Sequence, residues 1–164
     1  MFKAVIFDLD GTLFDLPIDY SVLYKRVSEI LNVDEIGSLL NTVAQIEDKQ
    51  VLRKIFDTWT RCELDIIDKI TVHLEGMQFY NQHVKLPKAL VTMQGKETVH
   101  NICKKFDLQF NAILTREDSL NRANQLKMAA TKLGFTLSDI LFIGNIDNDE
   151  NAAKEIKCQF IRVK

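Results

Sequence analysis

A three-layer α/β fold, built on a five-stranded parallel sheet with an all-helical block inserted into it, is the class that this 164-residue sequence predicts. Three observations carry the expectation. Short, continuously apolar runs alternate with stretches of helical periodicity, which is the pattern of strands buried on both faces. Residues 14 to 88 break the alternation, showing apolar stripes at helical spacing only. Hydrophobic residues make up 46% of the chain, enough for a sizeable core at this length.

The first strand is Phe2 to Phe7, FKAVIF, ended by Asp8-Leu9-Asp10-Gly11. Tyr20, Leu23, Val27, Ile30 and Leu31 then mark one amphipathic helix, and Ile36, Leu39, Leu40, Val43 and Ile46 a second. Val51, Leu52, Ile55, Trp59, Ile66, Ile67, Ile70 and Leu74 suggest one long or two shorter helices up to Gly76, with no strand between. Ala89-Leu90-Val91 is the second strand and opens onto Thr92-Met93-Gln94-Gly95. Val99, Ile102, Cys103 and Phe106 share a helical face before the third strand, Ala112-Ile113-Leu114. Ala123, Leu126, Ala130 and Leu133 do the same before Gly134 stops that helix. Leu141-Phe142-Ile143, closed by Gly144, is the fourth strand; Ala152, Ala153 and Ile156 form a small-residue face before the fifth, Gln159 to Val163. A helical block between the first two strands reads as an inserted subdomain.

Composition narrows the function classes. Twenty-one Lys and Arg against 23 Asp and Glu give a net charge of -2, which argues against a nucleic-acid surface built on overall charge. No apolar run approaches bilayer-spanning length, and two carboxylates interrupt the N-terminal apolar stretch, so neither a membrane span nor a secretory signal is expected. Cys62, Cys103 and Cys158 are odd in number and widely spaced, which suits neither a disulfide framework nor a zinc site; a reducing, cytoplasmic setting is expected. His73, His83 and His100 are scattered without ligand spacing.

The chemistry concentrates at Asp8-Leu9-Asp10-Gly11-Thr12-Leu13, directly after a buried strand. Ligands of open parallel sheets bind beyond the carboxyl ends of the strands. Two carboxylates there crowd negative charge unless a cation neutralises them or one holds a proton. Hard oxygen ligands with few partners suit Mg²⁺. Gly11 permits a sharp turn, and Thr12 adds a hydroxyl.

These residues resemble the haloacid dehalogenase superfamily of phosphohydrolases. The family's first motif, DxDGT, stands complete as Asp8 to Thr12. Ala89 to Thr92 matches the second motif, a hydrophobic strand ending in Thr or Ser, and Leu141 to Asp149 approximates the fourth, an apolar strand ending in GDxxxD. The resemblance implies a Rossmann-like core of residues 1–14 and 84–164, with sheet order 5-4-1-2-3, and a helical cap of residues 15–83. It further implies a Mg²⁺-dependent phosphatase of a small phosphorylated metabolite. Asp8 is then the nucleophile that forms an aspartyl-phosphate, and Asp10 the acid and base for leaving group and water. Gly11, Thr12, Thr92 and Met93 would bind the phosphoryl group, while Asp8, Asp10 (through its main-chain carbonyl), Asn145 and Asp149 would serve the metal. Asp10 favours phosphoryl transfer over dehalogenation, because a halide leaving group needs no proton. A phosphotransferase resembling β-phosphoglucomutase and a non-catalytic binding protein on the same fold are the alternatives; oligomeric state is left open.

The chain departs from the family pattern twice. Asn145 stands where the family usually has an Asp that ligates Mg²⁺; it keeps a carbonyl oxygen and removes a charge, so metal affinity falls unless Asp147 or Asp149 compensates. The third motif's Lys-Pro is missing. Counting back from Leu133-Gly134, its Lys falls near Leu120, and the nearest cation is Arg122, at a predicted helix start where a tie to an anion is favoured. Lys127 and Arg116 are further candidates for that place, each expected singly to be a solvated surface charge; so is Lys96.

Overall fold

The computed structural model describes residues 1–164. Its main sheet has five parallel strands: β1 (Ala4–Phe7), β4 (Lys88–Val91), β5 (Ala112–Leu114), β6 (Ile140–Gly144) and β7 (Gln159–Arg162). They lie in the order β5-β4-β1-β6-β7, which is the expected 5-4-1-2-3 when the sheet strands are counted along the chain. Every residue of β1, β4 and β6 is buried, as their unbroken apolar runs require of strands covered on both faces, and the edge strands β5 and β7 are partly exposed. Lys88, the polar residue of β4, is buried as well: its ammonium reaches the carbonyls of His83, Val84 and Leu86, at 3.0–3.4 Å.

Helices α6 (Arg122–Leu133) and α7 (Asp147–Glu155) cover one face of the sheet, where Ala123, Leu126, Ala129, Ala130, Ala152 and Ala153 pack against Ile6, Val91 and Phe142. Small residues bring these helices close to the strands. Helices α4 (Leu74–Gln82) and α5 (Lys96–Lys105) cover the other face through Met77, Phe79, Tyr80, Val99 and Ile102. Gly134, in the left-handed conformation with φ 77°, ends α6 as expected.

The inserted segment holds α1 (Tyr20–Leu31), α2 (Leu39–Ala44) and α3 (Lys49–Leu64). Asp19, Ser38 and Asp48 cap their N-termini with side-chain oxygens. Their apolar stripes form a separate cluster of Leu23, Val27, Leu39, Val43, Ile55 and Trp59.

Two expectations for this segment are corrected. A short antiparallel ribbon does interrupt the helices: β2 (Phe14–Asp15) pairs with β3 (Thr71–Val72), a pair too short to leave a periodic signal. Nor does the helix end at Gly76. Helix α4 runs through it to Gln82 because the glycine is a packing site: a Cβ there would lie 1.6 Å from the Thr12 carbonyl oxygen. The absence of a side chain lets α4 lie directly against the Asp8–Thr12 loop, and α4 packs with the sheet rather than with α1–α3. No helix is long and apolar enough to cross a membrane.

Candidate active site

β1 is the central strand, flanked by β4 on one side and β6 on the other, so the chain direction through the sheet reverses about it. That is the switch point where open α/β sheets bind ligands. The loop leaving β1 is compact. The amides of Thr12, Leu13 and Phe14 all donate to the Leu9 carbonyl, at 2.9–3.2 Å, and the Gly11 amide donates to Phe14 at 2.7 Å. Gly11 has φ 71°, and a Cβ on it would strike the Asn145 amide nitrogen at 2.0 Å. Both the turn and the approach of Asn145 therefore need glycine here.

Asp8 is buried, and its carboxylate has two partners. Arg122 Nη2 donates to Oδ1 at 2.8 Å, and the Thr12 hydroxyl lies 3.2 Å from Oδ2. The same hydroxyl is 3.3 Å from Asn145 Oδ1, so Thr12 stands between the two oxygens of the expected metal site. Arg122, also buried, has its Nε 2.9 Å from Asp149 Oδ1, close enough for charge pairing, and its Nη1 donates to Gln125 Oε1 at 3.0 Å. Asp149 Oδ2 takes the amides of Asn145 and Ile146, at 3.2 and 3.4 Å. One guanidinium thus pairs with two acids, Asp8 at the end of β1 and Asp149 on α7. Burial pushes the Asp8 carboxyl up to about 7, against the pull of Arg122 and with the push of Asp149. Burial likewise raises Asp10 to about 6, although its Oδ1 accepts the Leu16 amide at 3.0 Å; Asp15 and Glu63 add repulsion.

Of the expected phosphoryl-binding residues, Gly11 and Thr12 shape the loop beside Asp8. Thr92 is fully buried, and its hydroxyl is hydrogen-bonded to the Gln94 side chain and accepts the Gln94 amide at 3.2 Å. Met93 faces a cavity of about 250 Å³ that is also lined by Asp8, Asp10, Gln94, Arg122, Tyr20 and Trp59. Its carbonyl accepts from Arg116 Nη1 at 3.1 Å. The structure therefore brings Asp8, Asp10, Met93 and Arg122 to one cavity and sets Thr92 and Asp149 behind it.

The expectation of a solvated Arg116 is corrected. Its side chain is wholly buried and paired with an equally buried Glu63 of α3, at 2.5 Å. Glu63 Oε2 also accepts the Gly95 amide at 3.0 Å and the Thr98 hydroxyl at 2.7 Å. Arg116 donates to the Thr60 hydroxyl at 2.6 Å and stacks over the Trp59 ring at 4.5 Å. Burial holds the Glu63 carboxyl above the ordinary range, with Arg116 and the hydroxyl and amide donors opposing. Gln125 was missed as well: its Nε2 lies within 3.0 Å of the carbonyls of Thr92, Thr115 and Ser119, tying the loops after β4 and β5 to Arg122. Lys96 and Lys127 are exposed and neither makes a polar contact with the site, whereas Asp147 pairs with Arg162 at the surface, at 2.7 Å.

No family model and no curated protein matches the chain by sequence. Solved structures do match by shape. A hydrolase from Pseudomonas syringae superposes with TM-score 0.74 and 20% identity, over 98% of this chain and 83% of that one. A haloacid dehalogenase-like family hydrolase from Streptococcus pneumoniae does so with TM-score 0.72 and 17% identity, over 99% and 85%. CbbY from Rhodobacter sphaeroides, in complex with phosphate, gives TM-score 0.73 and 16% identity, over 99% and 86%. The chain has the haloacid dehalogenase-like fold. At these identities the likeness concerns the fold alone.

Asp8 Oδ2 and Asn145 Oδ1 both lie against the Thr12 hydroxyl, so two hard oxygens converge on one region. Only one of them carries charge, and Arg122 already pairs with that carboxylate. Asp149 has both oxygens engaged by Arg122 and main-chain amides. Mg²⁺ binds through one or two carboxylates when substrate phosphate and water complete its octahedron. The residues therefore fit the ion jointly with a phosphorylated ligand.

Proposed function

We propose that the chain is a Mg²⁺-dependent phosphomonoesterase that acts on a small phosphorylated metabolite through an aspartyl-phosphate on Asp8. The observation that carries the reading is the Asp8–Arg122 pair at the end of the central strand, facing a cavity that Asp10 also lines. Asp8 attacks phosphorus in line as the bond to the leaving oxygen breaks, and Asp10 donates its proton to that oxygen. Asp10 then takes a proton from water, which attacks phosphorus and releases inorganic phosphate and free Asp8. Burial places Asp10 near pH 6, which suits a group that gives and takes a proton close to neutrality. Arg122 opposes the effect of burial on Asp8, favouring its charged form, and neutralises part of the phosphoryl charge. Mg²⁺, when bound by Asp8, the Asp10 carbonyl, Asn145 and a phosphoryl oxygen, supplies further charge neutralisation. Asp149 and Gln125 position Arg122, and Thr92 supports the loop that carries Met93.

In this reading residues 1–14 and 84–164 form the catalytic core, and the cap is drawn from residues 15–83. The separate apolar cluster of α1–α3 supports a cap, whereas α4 packs as part of the core. A small substrate fits a cavity roofed by these helices, which excludes bulk water. A cytoplasmic setting belongs to the same proposal; burial pushes the Cys103 and Cys158 thiols up to about 11, which leaves them unreactive near neutrality.

The test is turnover of a generic phosphomonoester with Mg²⁺ by the wild type and by Asp8→Asn. Activity in the first and its loss in the second is expected. Activity that survives Asp8→Asn removes Asp8 as nucleophile.

A further inference from the structure

The cavity over Asp8 has two unlike ends. Asp8, Asp10 and Arg122 form its floor, where the phosphoryl group of the proposed reaction belongs. The helical side is formed by Tyr20, Tyr24, Ser38, Leu39, Leu40 and Trp59 and brings hydroxyls but no charged side chain. Arg122 is the only cation in the lining, and Asp8 and Asp149 already share it. A second phosphate or a carboxylate on the substrate would meet no counter-charge there and would lie near Asp10. Burying a charge without a partner is strongly unfavourable.

A substrate cation is no better provided for. The aromatic group best suited to hold one is Trp59, and its ring already stacks with the Arg116 guanidinium at 4.5 Å. Trp59 is 3% exposed and adds its ring to the uncharged wall of the cavity. The volume of about 250 Å³ amounts to about eight water volumes. That is room for a phosphoryl group and a body the size of a single ring.

We propose that the substrate is a phosphate monoester of a small, uncharged, largely apolar alcohol or phenol. Carboxylated phosphates, bisphosphates and amino phosphates are disfavoured by the same lining. The inference rests on the reading of the site as a phosphomonoesterase.

Trp59 is the only tryptophan of the chain, so its fluorescence reports occupancy of the cavity whether or not turnover follows. The experiment titrates the wild-type protein, with Mg²⁺, against phenyl phosphate, 2-phosphoglycolate, O-phosphoethanolamine and inorganic phosphate, following fluorescence and phosphate release. Phenyl phosphate is expected to bind at least about tenfold tighter than the anionic and cationic esters, and to have the highest kcat/KM. A smaller preference, or one for either charged ester, overturns the inference and leaves the phosphatase reading standing. If inorganic phosphate and all three esters leave the fluorescence unchanged and none is hydrolysed, the phosphatase reading fails and the inference with it. Leu40→Lys supplies a second arm, because Leu40 is only half-buried and can be replaced at the cavity wall. It should improve 2-phosphoglycolate binding by about tenfold relative to phenyl phosphate; an unchanged ratio contradicts the proposal.

Discussion

Replacing Glu63 by Gln tests whether the buried Glu63–Arg116 pair holds helix α3 over the active site. Both side chains have no solvent exposure, and their charges meet at 2.5 Å. Removing one partner of such a pair leaves the other charge buried, at a cost of about 3–5 kcal/mol. Gln keeps an oxygen that can accept from the Gly95 amide and the Thr98 hydroxyl, which donate to Glu63 Oε2 at 3.0 and 2.7 Å. Arg116 would also retain Thr60 and the Trp59 ring. The loss should therefore fall near the low end, about 3 kcal/mol. For a chain of this length, each kcal/mol lowers Tm by about 2–4 °C, so calorimetry should show a fall of about 6–12 °C. Urea unfolding of Glu63→Gln, Arg116→Met and Glu63→Met/Arg116→Met completes the test. The double variant should lose less than the sum of the single changes, since it leaves no charge unpaired. A Glu63→Gln protein within about 0.5 kcal/mol of wild type, the range of an ordinary surface change, refutes the reasoning.

Other perturbations probe the site directly. Asn145→Asp restores a second charged oxygen and should tighten Mg²⁺ binding about tenfold without substrate, measured by titration calorimetry; unchanged affinity removes Asn145 from the metal shell. Arg122→Gln should weaken inorganic phosphate binding at least about tenfold, because it leaves Asp8 and Asp149 to repel the anion; equal binding contradicts the assigned role. Asp10→Asn should lower kcat about 10²–10⁴-fold for alkyl phosphates and much less for aryl phosphates with acidic leaving groups. A uniform loss would remove Asp10 as the proton donor. In EDTA, the folded Asp10 pKa of about 6 lies above the ordinary carboxylate value of 3.8, so the native state holds more protons between them. Stability should then decline as pH rises through that window, and Asp10→Asn should flatten the decline by about 3 kcal/mol in urea titrations; an unaltered slope assigns it to other groups.

The sheet was legible because each strand announces itself locally: AVIF, ILFI and their like are buried on both faces and bounded by loop residues. Asp8, Asp10 and Gly11 were legible for the same reason, as contiguous residues at the end of such a run. Arg122 could be found only by counting from the helix end at Gly134, and the structure does bring it to Asp8. Arg116 could not be found in this way. Its partner lies 53 residues away on α3, and the burial of a charge depends wholly on the partner that meets it. Gln125 was hidden by an unremarkable polar residue's capacity to join three carbonyls from separate loops. The β2–β3 ribbon was hidden by its length, and α4's place on the sheet by Gly76, which reads as a helix stop and acts as a point of close approach to Thr12. Signals confined to one segment were readable, and those that depend on distant segments meeting were not.

The central claim is that Asp8 accepts the phosphoryl group. Mass spectrometry of the wild-type protein, acid-quenched during turnover of phenyl phosphate with Mg²⁺ and digested to peptides, tests it most directly. One phosphoryl group is expected on the peptide containing Asp8, lost on hydroxylamine treatment and absent in Asp8→Asn. Turnover with the phosphoryl group on another residue, or with no covalent intermediate at any quench time, would contradict it.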